Sequence, residues 1–431
     1  MSMLVDDNAN FSNVQWKSPI IKLIPDDFAL SDEYATIHTT IEDALSHRSG
    51  FPRHDYAIGG NYEGQEPSLR GMVRAMRHLP LTAEPRTRFQ YSNQMYGVAS
   101  HVIETLTGSW LGDVLKEKIW EPLNMKATFF STSNAEKAPE HLAEGYVYYN
   151  KKFQPVQEMD LTCVSGGGSV ISNVLDYTKW LKAHLSMSGP ISKAGYKAIR
   201  TARSIEDRDD APVAFTGNSL YALGWSTGVY QGYEYFEHSG GMVAFGTELI
   251  FFPALNYGLV AFANTAVTSN WLEQALVWHL IDEHLGIPKE DRFDWNKRNQ
   301  DRMQKSVEEY KNGWKEAYPN IPNPRLPTTL PVQNYMGTYF NPGYNNITIE
   351  IKDGALYANR SDATLKLDMT LEHISGDYFM AYGDSTEAPG LPFKVAAPAE
   401  FKISPEGISK TLGLAAEPEM GKDGRIWFER L

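Results

Sequence analysis

The chain has 431 residues, 42% hydrophobic and 22% charged. That is ordinary globular usage and excludes a disordered or fibrous protein. The formal charge of −13 makes a surface that repels phosphate backbones, which argues against nucleic-acid binding through bulk charge. The lone Cys163 rules out an internal disulfide and any multi-cysteine metal site.

No run reaches the ~18 consecutive apolar residues of a membrane span. Residues Met1 to Asn8 lack the basic head and apolar stretch of a signal peptide. The expectation is a chain without a membrane span, cytoplasmic unless a targeting peptide lies upstream of Met1. At about 150 residues per domain, two or three domains are expected.

Met1 to Val5 reads as the last turn of an apolar helix, followed by a polar Asp-Asn turn. Thr39 to Leu45 reads as a short helix, with Thr39 a plausible N-cap and Glu42 three residues on. Gln94 to Leu106 has apolar residues at helical spacing (Met95, Val98, Ala99, Val102, Ile103, Leu106) and stops at Gly108. Gly166-Gly167-Gly168 is a glycine loop, and a helix follows over 176–185. From Leu220 to Ala266 the period changes. Residues 221–225, 233–238, 247–253 and 258–264 read as antiparallel strands, and 271–285 as a helix.

Residues 288–330 are charged, then Pro-rich (Pro319, Pro322, Pro324, Pro327), and read as a helical linker with an extended boundary. About nine short strands follow over 331–431, spaced by Gly, Asp and Asn turns, as in a small β-barrel or sandwich. The expected domains are therefore 1–287, the linker 288–330, and 331–431.

Several motifs invite chemistry. In Tyr91-Ser92-Asn93, a Tyr and an Asn two residues apart enter the helix that follows. A phenol with its pKa lowered by a cationic neighbour can carry protons, and an amide can orient a substrate carbonyl. Read alone, the same residues are an N-cap and a packed ring. His238-Ser239-Gly240-Gly241 offers small residues along which a substrate can lie, and a Gly241 N–H able to polarise a carbonyl. Alone it is also hairpin-turn chemistry. His279 and His284 stand five apart, about 500° around a helix, so they do not share a face and no metal site is expected. Gly166-Gly167-Gly168 lacks the phosphate-loop pattern, so no nucleotide or other cofactor is expected.

Taken in order, Leu45-Ser46-His47-Arg48-Ser49-Gly50-Phe51-Pro52, Phe89-Gln90-Tyr91-Ser92-Asn93, Ser165-Gly166-Gly167-Gly168, Tyr221-Ala222-Leu223-Gly224-Trp225 and His238-Ser239-Gly240-Gly241 resemble the serine β-lactamase-like family. That family holds class C β-lactamases, DD-peptidases, and related esterases and D-amino-acid peptidases. The tail, with Tyr335-Met336-Gly337-Thr338-Tyr339 and Asp353-Gly354-Ala355-Leu356-Tyr357, is similar to the lipocalin-like barrel often appended to it. The resemblance implies an α+β fold, with a helical cluster packed on an antiparallel sheet and a small C-terminal β-barrel. It implies a covalent acyl-enzyme formed with a small-molecule ester, amide or peptide substrate. Tyr91 would share the proton work, Asn93 orient the reacting groups, and His238-Ser239-Gly240 stand in the Lys-Thr-Gly slot of the substrate strand. Gly241 would give an oxyanion N–H. Trp225 and Phe51 are candidate cleft-lining residues, or equally core. The histidine variant of that slot leans toward esters or small amides over β-lactam antibiotics. The barrel is expected to cap the cleft, promote oligomerisation, or stabilise the fold.

One departure matters. The family's nucleophile and base come from Ser-x-x-Lys at the start of a buried helix, and no serine in this chain is followed by Lys at the third position. By resemblance, Met1 to Asp6 aligns with the end of that helix, so the first strands and the nucleophile are expected to precede these residues. Without them the domain would be incomplete, with unpaired backbone and apolar surface exposed. The chain would then be inactive in acyl transfer. Alternatively it is a non-catalytic binding relative, or a fragment that needs a partner.

Overall fold

Apolar residues at helical spacing do place a helix at Asn93–Thr107, with Met95, Val98, Val102 and Ile103 buried and Gly108 closing it in the left-handed region at φ 67°. In the computed structural model, which describes residues 1–206, 215–390 and 394–431, this helix is the wall on which the site is mounted. The one-turn helix Ser165–Gly168 packs against it. Those glycines are therefore a helical turn rather than a loop. A Cβ on Gly166 would collide with the Ser100 hydroxyl and the Tyr96 carbonyl, so the two elements approach this closely only because the residue is glycine.

The short helix Ile41–Leu45 is capped by Thr40 rather than Thr39. The Asp43 N–H donates to Thr40 Oγ1 at 3.3 Å, and the Asp43 carboxylate accepts the Thr40 N–H at 3.0 Å. With Thr40 as the cap, the reciprocal N3 position is Asp43 and not Glu42, whose carboxylate meets Arg48 and Arg203 at 3.0 and 3.1 Å.

Beside the helices lies a six-stranded antiparallel meander, Ser204–Glu206, Phe215–Tyr221, Ser226–Tyr230, Tyr233–Met242, Phe245–Phe252 and Tyr257–Ala263, in that order. The sequence places a strand at 221–225, but Tyr221 ends one strand and residues 222–225 form the turn to the next. Gly224 makes that turn possible at φ 89°. The hairpin-turn reading of His238–Gly241 is also overturned, because all four residues lie inside a strand and the turn falls at Val243 and Ala244. Helix Thr268–Leu285 covers the sheet with Val277, Trp278 and Ile281. Its other side leaves Leu272, Leu276 and Leu280 exposed, and the neighbouring Tyr257–Ala263 strand ends the sheet.

Helix Trp295–Ala317 leads to a closed barrel of eight antiparallel strands between Gly337 and Arg430. The two strands expected at 393–396 and 400–403 are one continuous strand, Val395–Ile403, with Phe393 outside the described residues. The barrel is packed rather than hollow. Tyr335, Tyr339, Phe379, Phe401 and Phe428 fill it, and the Tyr339 hydroxyl donates to the Tyr335 carbonyl at 2.8 Å. A cavity of about 40 Å³ at its mouth is too small for an organic ligand. Its core is continuous with that of the helical cluster. Among the described residues no helix is long and apolar enough to cross a membrane.

Candidate active site

The site grows from two loops laced together by backbone bonds. His47 adopts φ 55°. Its carbonyl accepts the Gln90 N–H at 2.7 Å, and its Nδ1 accepts the Ser92 N–H at 3.1 Å. Tyr91 is thus held between two hydrogen bonds to one residue. Because Nδ1 is an acceptor there, the neutral ring carries its proton on Nε2, which is buried without a partner. Ion pairs from Arg48 and Arg86 to Asp43, at 2.7 and 2.8 Å, fix the loop to the Ile41–Leu45 helix.

Around Tyr91 stand His47 at 4.1 Å and His238 at 6.4 Å between ring centroids, with the Arg53 guanidinium 4.9 Å over its face. Asn93 opens the helix. Its Nδ2 donates to Asp55 Oδ1 at 3.1 Å, while Asp55 Oδ2 accepts from Arg53 Nε at 2.7 Å. Ser92 is the N-cap by position, but its hydroxyl makes no capping bond. On the far wall, His238 Nδ1 meets the Ser239 carbonyl at 2.7 Å and Nε2 meets the Tyr221 hydroxyl at 3.1 Å. A carbonyl only accepts, so Nδ1 carries the proton and Nε2 accepts from Tyr221.

The strand bearing His238 has an open edge. Its neighbour Ser226–Tyr230 pairs with Tyr233 to Glu237 and stops. On the other side, pairing runs from Phe236 to Met242. Among the described residues, no strand pairs with the Ser226–Tyr230 side beyond Glu237, the kind of edge along which an extended ligand can lie. Side chains alternate along it. The Cβ position of Gly241 faces Asn270 of the covering helix, so Ser239 and Gly241 lie on the face opposite His238 and Gly240. The Gly240 carbonyl is held by Asn270 Nδ2 at 2.7 Å.

Electrostatics differ from the sequence expectation. Burial pushes the Tyr91 phenol above its ordinary value, and the opposing pull of Arg53 is the smaller effect. The expected lowering by a cation is not the net result. Burial holds His47 well below the usual imidazole value, with the nearby His238 and Arg53 acting in the same direction. Burial likewise lifts Tyr221 well above its own.

The structure brings Tyr91, Asn93, His238, Ser239, Gly240 and Gly241 to the lining of one extended cavity. Trp225 borders it, with most of its ring packed on His184 and Phe251 at 5.0 and 5.1 Å. Phe51 does not line the cleft. It is 0% exposed and packs on His54 at 5.2 Å, because the Gly50 turn directs it into the core. Phe51→Ala is expected to destabilise the fold by about 3–5 kcal/mol, read as a shift of the urea midpoint. The cleft's Arg53, Asp55 and Tyr221 were missed as site residues. Tyr221 lies in a recognised motif, but no local pattern marks Arg53 or Asp55. Among the described residues, no group of three or more His, Cys, Asp and Glu side chains gathers to hold a metal.

The β-lactamase family matches residues 3–282, and a domain of unknown function, DUF3471, matches residues 322–430. The chain is 43% identical over 435 residues to "Unguisins hydrolase ungD'" of Aspergillus campestris, covering 100% of this chain and 80% of that protein. It is 38% identical over 455 residues to "Unguisins hydrolase ungD" of Aspergillus violaceofuscus, covering 100% and 79%. Among solved structures, the octameric penicillin-binding protein homologue from Pyrococcus abyssi shares the fold, with a TM-score of 0.58 at 19% identity, covering 99% of this chain and 85% of that one. With matches that span most of its length, the chain belongs to the β-lactamase family of serine hydrolases.

Proposed function

We propose that this pocket serves acyl transfer to water, cleaving an amide or ester bond of a peptide-like substrate laid along the open edge from His238 to Met242. Tyr91 moves the proton between attacking and leaving groups. Asn93, anchored by Asp55, orients the reacting carbonyl. His238, held by Tyr221, shapes the substrate strand, and the Gly241 N–H contributes to the oxyanion site. The observation that carries this reading is the meeting of Tyr91 and His238 across one cleft, 6.4 Å apart between ring centroids. Further support comes from relatives at 43% and 38% identity whose names describe hydrolases of unguisins.

A second reading, a pocket that binds without cleaving, is favoured by one observation: no Ser-x-x-Lys occurs in the sequence. Labelling with a fluorophosphonate, followed by intact mass, separates the two. The 431-residue chain is expected to remain unlabelled. A form that also carries a Ser-x-x-Lys helix ahead of Met1 is expected to take up one label and to turn over peptide amides or esters. Failure of that form to label or turn over, with the fold intact, leaves only the binding reading. A label on any serine of the 431-residue chain would place the nucleophile elsewhere.

A further inference from the structure

We propose that the C-terminal barrel is a working part of this pocket: its buried Tyr344 and Glu417 clamp His54, and the clamp holds Arg53 over the Tyr91 ring and Asp55 on the Asn93 amide. The inference rests on the roles given above to Tyr91 and Asn93, and it concerns residues that no motif singles out.

His54 stands between Arg53 and Asp55, at φ 43° and ψ 36°. That left-handed conformation costs a non-glycine residue about 1–2 kcal/mol and persists only where surroundings over-determine it. Here they do. The His54 N–H donates to Glu417 Oε2 at 2.6 Å. Its Nε2 donates to the Pro80 carbonyl at 2.9 Å, which leaves Nδ1 to accept the Tyr344 O–H at 2.7 Å. Glu417 is 2% exposed, and its second oxygen takes the Glu419 N–H at 3.0 Å. The His54 ring lies 3.7 Å from this carboxylate. Burial keeps the ring neutral, however, with its pKa lowered to about 4, so the bond to Glu417 runs through the backbone rather than an ion pair.

The clamp is continued along the residues that follow His54. Arg360 of the barrel donates to the Tyr344 carbonyl at 3.0 Å and to the Tyr56 carbonyl at 3.3 Å. The Thr364 N–H donates to the Ile58 carbonyl at 2.9 Å, and Thr364 itself lines the cleft. With residue 54 and the segment that follows it tied to the barrel, the side chains at 53 and 55 leave the backbone in fixed directions. One of them reaches Tyr91 and the other Asn93. His54, Tyr344 and Glu417 are thus positioning residues, acting on the cleft through Arg53 and Asp55.

The test is made by NMR on the full chain, so it needs no hydrolysis. The Arg53 side-chain protons should carry the ring-current displacement of the Tyr91 face, and the Asn93 Nδ2 protons should be protected by Asp55. In Tyr344→Phe, and in His54→Gly, which accepts the backbone angle but has no ring, the displacement should collapse. Exchange of the Asn93 amide protons should accelerate about tenfold, the loss of one hydrogen bond. Arg53→Lys should keep the Asn93 signal and Arg53→Met lose it, because Asp55 is then left without its cation. If both barrel-contact variants lower the thermal midpoint while the Arg53 and Asn93 signals stay in place, the barrel is a stabiliser only and the proposal fails. Shifted signals in a protein that never hydrolyses an acyl bond would uphold the clamp and remove the hydrolytic reading. Unmoved signals in a protein that does hydrolyse would do the reverse.

Discussion

Tyr91→Phe, made in a form that also carries a Ser-x-x-Lys helix, is expected to cut turnover of an amide or ester about 10²–10⁴-fold with the unfolding midpoint unchanged. The substitution removes one oxygen and keeps the ring. His47 at 4.1 Å and Arg53 at 4.9 Å contact the face of that ring, so packing and the cation–π contact survive. What is lost is the proton carrier. The loss should appear in kcat rather than in KM, because the strand edge from His238 onward, which takes the substrate backbone, is untouched. Burial raises the Tyr91 pKa, which makes the phenolate costly at neutral pH. Activity in the parent should therefore climb into the alkaline range, and Tyr91→Phe should flatten that limb of the profile. Turnover within about threefold of the parent would end the assignment of proton transfer to this residue.

Folding stability is expected to fall steeply below pH 6, and His184→Phe should relieve part of the fall. His184 is 0% exposed, boxed by Trp180 at 4.4 Å, Trp225 at 5.0 Å and Tyr196 at 5.2 Å. Neither ring nitrogen has a partner. Burial, then the nearby Arg200 charge, lowers its pKa to about 3. Burial also lowers His54 to about 4 and holds His47 well below its usual value. Unfolded histidine titrates near 6.5. Between that value and the folded pKa, the unfolded chain binds a proton that the folded chain refuses, so stability rises with pH across the window and is lost as pH falls through it. For His184 alone the loss at pH 5 is about 2 kcal/mol. Phenylalanine keeps the aromatic box and carries no titrating group. The stability of His184→Phe relative to the parent should therefore improve by about 2 kcal/mol between pH 8 and pH 5 in urea titrations. A difference that does not change with pH would show that His184 is not held neutral by the fold.

Local signals carried much of the architecture. The period of Met95, Val98 and Val102 with Gly108 behind them is enough to place the Asn93–Thr107 helix, because helix amphipathicity is written within a few turns. Alternating strands and turn residues after Pro331 likewise announced a small barrel or sandwich, and the pairing of the first strand with the last closes it as a barrel. Local signals failed where two equal readings needed a distant arbiter. Thr39 and Thr40 are both good caps, and the cap is Thr40, whose reciprocal partner Asp43 is held by Arg48 and Arg86 from outside the helix. Ser239-Gly240-Gly241 has turn composition, yet it is strand because Phe245–Phe252 pairs with it along its length.

The candidate site divides the same way. Tyr91, Asn93 and His238 were legible as members of an ordered set of motifs. Phe51 stayed open between cleft and core, since an aromatic next to a glycine turn does not say which way it points, and the structure puts it in the core. By itself, the sequence determined most of the helices and strands and the family, because helix caps, periodicity and short motifs act over a few residues. Only the tertiary structure decided that His54 meets Tyr344 and Glu417, at separations of 290 and 363 residues, and so places Arg53 and Asp55 in the cleft. Contacts that far apart depend on the closure of the whole chain, and no local pattern encodes them.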